Sequence, residues 1–170
     1  MSKTKRLTVA AIFAGLALVT FVIEAQIPPP VPLPGIKLGL ANLYTLIAAS
    51  LLGKKEAGAV LAVRILLGSL FCGTLTSLLY SVAGGFCCYL VTIILYPKLG
   101  DRLLWAISVL GALAHNFGQI LVAYAVIGKA VLYYSPALAV SAIVTGALIG
   151  MLAGLLAPIL KRRGVGGTTH

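Results

Sequence analysis

A chain of 170 residues that is 61% hydrophobic and 9% charged, with a mean hydropathy of +1.10, lies far outside the range of a soluble globular domain and reads as an integral membrane protein, all-α and in a single domain. Its net charge of +10 does not point to nucleic acid, because the basic residues stand in short clusters between apolar runs with no soluble domain to present them. Three acids, Glu24, Glu56 and Asp101, and cysteines without ligand spacing argue against a resident metal, and no cofactor is expected.

The first apolar run, Leu7 to Ile27, has the basic start of a cleaved leader. It is too long for one and ends in Glu24-Ala25-Gln26, so a retained helix is expected. Ala10 and Ala14 sit four apart on it, with Ala11 and Gly15 in the adjacent register. Such small-residue ladders let helix backbones approach closely in lipid, either inside a bundle or against a partner.

A proline-dense hairpin follows, Ile27-Pro-Pro-Pro-Val-Pro-Leu-Pro-Gly35. Its prolines preset an extended backbone that stays ordered with few hydrogen bonds, so it reads as a lid at the membrane surface. It leads into the second run, Ile36 to Leu52, which carries Lys37, Asn42 and Thr45. Lysine and asparagine entering hydrocarbon together are costly in a segment that only spans, which marks a candidate binding site.

The third run, Ala57 to Phe71, is like the second short for a hydrocarbon core of about 30 Å, so both are expected to be sheltered in the bundle or extended by loop residues. Arg64 near its centre requires water or a partner. Two partners stay open: Glu24, the one acid outside the predicted cytoplasmic face, and an anionic ligand.

The fourth run is Thr76 to Tyr96, and Cys72, Cys87 and Cys88 in or beside these spans read as small packing residues. The fifth, Leu103 to Ile127, carries Ala114-His115-Asn116-Phe117-Gly118-Gln119. His115 and Gln119 are four apart and Asn116 and Gln119 three apart, giving a polar stripe expected to face Asn42 and Thr45 across a substrate pocket. His115 is a poor metal ligand, since the second histidine, His170, is at the tail. Tyr133 and Tyr134 suit an interfacial anchor before the sixth run, Ser135 to Leu160, and Gly146, Gly150 and Gly154 form a second packing ladder there.

Basic residues near helix ends set orientation. Lys3, Lys5, Arg6, Lys54, Lys55, Lys98, Arg102, Lys161, Arg162 and Arg163 fall on one face of the six-helix reading, against Lys37 and Lys129 on the other, with Arg64 inside a span. A multi-pass cell-membrane protein with both termini cytoplasmic is expected.

In Pro34-Gly-Ile-Lys-Leu-Gly-Leu-Ala-Asn-Leu-Tyr-Thr-Leu46, Leu52-Gly-Lys-Lys-Glu-Ala57, Arg64-Ile-Leu-Leu-Gly-Ser-Leu70, Gly111-Ala-Leu-Ala-His-Asn-Phe-Gly-Gln119 and Tyr134-Ser-Pro136, the chain resembles the Gx transporter family, also catalogued as heptaprenyl diphosphate synthase component I. That family in turn resembles the S components of energy-coupling factor (ECF) vitamin transporters. The resemblance implies a six-transmembrane-helix bundle whose first loop closes over an outward pocket. It also implies that Ala10 and Ala14 dock on a transmembrane coupling subunit driven by ATPases. The expected function is uptake of a polar or anionic small molecule through Lys37, Asn42, Thr45, Arg64, His115, Asn116 and Gln119. No Gly-x-x-x-x-Gly-Lys-[Ser/Thr] stretch is present, so energy would come from a partner or from none. The competing expectation is a non-catalytic membrane subunit of a polyprenyl diphosphate synthase.

Overall fold

The computed structural model describes residues 1–27, 38–72 and 75–166. Lys37 and the proline hairpin lie outside the described residues. Within them are six α-helices: α1 (Lys3–Glu24), α2 (Asn42–Leu51), α3 (Lys54–Cys72), α4 (Leu75–Leu99), α5 (Leu104–Ile127) and α6 (Ser135–Arg162). Short 3-10 turns precede α5 and α6.

Polarity is inverted relative to a soluble protein. Leu70 and Leu7 are 77% and 72% exposed, whereas Ser50, Gln119 and Arg64 are 0–2% exposed. An apolar exterior over a partly polar interior is what lipid as solvent selects, because polar side chains then find partners only inside. Four helices, α1, α4, α5 and α6, are long and apolar enough to cross a membrane.

The exception in length is α2, whose ten residues rise only about 15 Å. It contacts α1, α3, α4 and α6, and Asn42 and all of Thr45 through Leu51 are buried. The shelter expected for a short second run is therefore present. Its start differs from expectation: the helix begins at Asn42, six residues after Ile36. The cause is local. Gly39 adopts φ +81°, and the Glu24 carboxylate takes the backbone N–H groups of Gly39 (2.6 Å) and Leu40 (3.0 Å), which interrupts any helix running through them. At its other end Gly53, at φ +103°, reverses the chain into α3.

Small residues set the helix spacings. A Cβ at Gly118 would lie 2.5 Å from the Ala83 carbonyl oxygen of α4, one at Gly146 would lie 2.7 Å from Val109 Cα of α5, and one at Gly150 would overlap Trp105 Cα. The expected α6 ladder thus packs inside the bundle at Gly146 and Gly150, while Gly154 meets nothing within 4 Å. Ala10 and Ala14 are 8% and 6% exposed and lie in the core cluster with Ile47 and Val60. In this arrangement they pack toward α2 and α3. The small residues of α1 left open are Ala11 and Gly15.

One end of the bundle gathers the basic clusters. Arg6 pairs with Glu56 at 2.6 Å, Lys5 Nζ donates to the Gly164 carbonyl at 3.0 Å, and Lys161 pairs with Asp101. Asp101 also accepts from Ser50 Oγ (2.8 Å) and the Tyr96 hydroxyl (2.9 Å), so α2, α4, α5 and α6 meet there.

Gly118→Leu or Gly150→Leu is expected to cost about 3 kcal/mol or more, since backbone atoms cannot yield to the added side chain. Gly154→Leu should be neutral or slightly stabilising through helix propensity. Thermal unfolding in detergent checks the difference; equal losses at all three positions would refute this account of the helix crossings.

Candidate functional site

Arg64, Asn42 and His115 come from three helices and meet in the bundle interior. Arg64 Nη2 donates to Asn42 Oδ1 at 3.1 Å, and Asn42 Nδ2 lies 3.2 Å from His115 Nδ1. The arginine fixes the amide: Oδ1 accepts, which leaves Nδ2 as the donor facing the His115 ring, and that ring also contacts the Gly84 backbone.

Glycines make the room. The His115 ring fits between Gly39 and Gly84, where an added Cβ would lie 3.4 Å and 2.8 Å from ring carbons. Phe21 of α1 lies beneath the guanidinium, with Arg64 Cζ 5.6 Å from the ring centroid. The ring occupies the niche opened by Gly68, one helical turn after Arg64, where a Cβ would stand 2.8 Å from it. This arrangement shields the cation from hydrocarbon and offers it a π face.

Glu24 is also part of this region. Its carboxylate holds the Gly39–Leu40 turn and is near enough for its charge to act on Arg64. Arg64's direct hydrogen bond goes to Asn42.

Several buried polar atoms have no hydrogen-bond partner among the described residues: Arg64 Nε, His115 Nε2, Thr45 Oγ1 and Gln119 Oε1. One of them, Arg64 Nε, is an N–H donor whatever the state of its neighbours. Such atoms are expensive in a low-dielectric interior and are rarely retained without a role.

Asn116 Nδ2 donates to the Leu138 carbonyl at 2.7 Å, so its side chain ties α5 to α6. Thr45 and Gln119 are buried, at 3% and 1% exposure. A cavity adjoining Gly39, Asn42, Leu46, Thr92 and Ser108 measures about 10 Å³, room for roughly one water. The roles of Phe21 and Gly84 were not read from the sequence. The Arg64-x-x-x-Gly68 spacing is the signal for an aromatic ring from another helix, but nothing local identifies Phe21 as its source.

Replacing Asn42 by Ala strands both Arg64 Nη2 and His115 Nδ1, and is expected to cost at least about 2 kcal/mol. Asn116→Ala should cost about 1–3 kcal/mol through one carbonyl alone. Unfolding of both single variants and of Asn42→Ala with His115→Ala tests the coupling. Additive losses in the double variant would show that the amide does not bridge.

No curated protein and no solved structure gave a match to this chain. The sequence model of the family described as heptaprenyl diphosphate synthase component I matches residues 13–156, which include every helix contributing to the Arg64, Asn42 and His115 cluster. The chain is therefore a member of the heptaprenyl diphosphate synthase component I, or Gx transporter, family.

Proposed function

We propose that the chain is the membrane substrate-binding component of a small-molecule uptake system of the ECF S-component type, crossing the cell membrane six times with both termini in the cytoplasm. The observation that carries this reading is the buried Arg64 guanidinium, whose Nε–H has no partner among the described residues and whose Nη2 joins it to Asn42 and, through that amide, to His115. A carboxylate or phosphate group satisfies such a donor, and a planar guanidinium suits it better than an ammonium would. Thr45 is proposed to donate its hydroxyl to the same anion, Gln119 Oε1 to accept from a hydroxyl or N–H elsewhere on the ligand, and Lys37 to guide the anion inward.

In this scheme the ligand enters from the face opposite the basic clusters. The Gly39–Leu40 turn covers His115 and is held by Glu24, so entry proceeds by release of that turn. Transport further requires a coupling subunit and its ATPases. The inward placement of Ala10 and Ala14 makes Ala11 and Gly15 the face of α1 available to such a partner.

The second reading, a non-catalytic subunit of a polyprenyl diphosphate synthase, is favoured by the family's description. Against a catalytic role stands the use of the acids. Diphosphate ionisation needs clustered carboxylates holding magnesium. Here Glu56 pairs with Arg6, Asp101 with Lys161, and Glu24 holds a backbone turn.

Arg64→Ala should reduce ligand retention by about a hundredfold, and Arg64→Lys should restore only part of it. Mass spectrometry of small molecules carried by gently purified protein, set beside thermal unfolding of the same variants, checks this. Unchanged retention with lowered stability would reassign Arg64 to structure alone, and co-purification of a soluble prenyl synthase would favour the second reading.

For orientation, cysteines placed at Lys98 and Lys129 in a cysteine-free background should react with an impermeant reagent from opposite sides, Lys129 from outside. Labelling of both from one side would overturn the six-crossing topology.

A further inference from the structure

At the basic end of the bundle, a groove of about 630 Å³ runs between the start of α1 and the start of α3. Lys3, Arg6, Lys54 and Lys55 line its mouth, and Leu7, Ala10 and Ala59 form its apolar wall. We propose that this groove is a binding site for one anionic phospholipid of the adjacent leaflet, with its phosphate among the cations and an acyl chain along α1. This assignment is independent of what the Arg64 region carries.

Charge complementarity carries it. Four cations face a single carboxylate, Glu56, which is already paired with Arg6. Among the described residues, no hydrogen bond or ion pair engages the ammonium groups of Lys3, Lys54 and Lys55. Arg6 spends Nη2 on Glu56 and the Leu52 carbonyl, yet its Nε is buried with no partner, a donor that a phosphate oxygen would satisfy.

The wall selects an amphiphile. Leu7, on the groove wall, is 72% exposed, so the apolar wall beside the cations opens toward hydrocarbon. Free phosphate would use the cations and leave the wall unused. A partner helix seated there would need acidic residues opposite three lysines. An anionic lipid uses both features, and juxtamembrane basic clusters attract such headgroups.

The test uses the full-length protein in dodecyl maltoside micelles doped with phosphatidylglycerol, with phosphatidylcholine, or with inorganic phosphate in the buffer. Thermal unfolding and native mass spectrometry are the readouts. Phosphatidylglycerol should raise the unfolding midpoint by several degrees and remain bound at one molecule per chain. Replacing Lys3, Lys54 and Lys55 together by Gln should weaken retention at least about tenfold. The same loss of charge at Lys98, Arg162 and Arg163 should leave it within about twofold. Ala59→Trp fills the groove without changing charge and should also abolish retention, which separates a groove from a diffuse field. Equal stabilisation by phosphatidylcholine or by phosphate, equal loss in both triple variants, retention unaffected by Ala59→Trp, or a co-purifying protein in place of the lipid would each overturn the proposal.

Discussion

A ten-residue helix buried in a membrane bundle must have both ends satisfied by protein, and the architecture is organised around that requirement for α2. A single neighbour supplies both. At the start of α2, Glu24 of α1 accepts from Gly39 and Leu40; at its finish, Arg6 of α1 donates to the Leu52 carbonyl. The acid meets the positive end of the helix dipole and the base meets the negative end, so each contact is reinforced by the field of the helix that it caps. The separation of Arg6 and Glu24 along α1, about 27 Å at 1.5 Å per residue, exceeds the length of α2 itself and lets α1 hold it as a brace holds a strut.

The site inherits its position from this clamp. Because Glu24 stops the chain from being helical at Gly39, α2 begins at Asn42, and the first side chain of the helix is delivered between Arg64 of α3 and His115 of α5. The amide is suited to the place, since one oxygen and one NH₂ can serve a donor and an acceptor simultaneously.

Much of the helix content was legible from apolar runs, and the boundaries of α1, α4, α5 and α6 fall within a few residues of those read from sequence. The start of α2 was not legible, because it depends on a carboxylate fifteen positions earlier taking two backbone donors. The polar residues worth attention were visible as costs: Arg64, Asn42 and His115 all stand in apolar surroundings and do converge. Asn116 looked equivalent to His115 in the one-dimensional pattern. Adjacent positions on a helix point about 100° apart, and that turn directs Asn116 at the Leu138 carbonyl of α6 instead. The same angular argument, without a reference direction, could not say whether Ala10 and Ala14 or Ala11 and Gly15 faced outward.

The brace formed by α1 also bears on how its neighbours are accommodated in lipid. Of the first three helices, α1 is the one long and apolar enough to cross a membrane among the described residues, with an arginine and a glutamate near its two ends. The next segments are poor candidates for independent insertion: α2 is too short to span, and α3 begins with Lys54, Lys55 and Glu56 and holds Arg64 within. Their entry into hydrocarbon becomes favourable only alongside α1, whose two charged groups receive the ends of α2 and whose Phe21 receives Arg64. The first three helices are thus interdependent: α1 holds both ends of α2 and shields the cation of α3, so the polar groups of the shorter segments are satisfied only in its company.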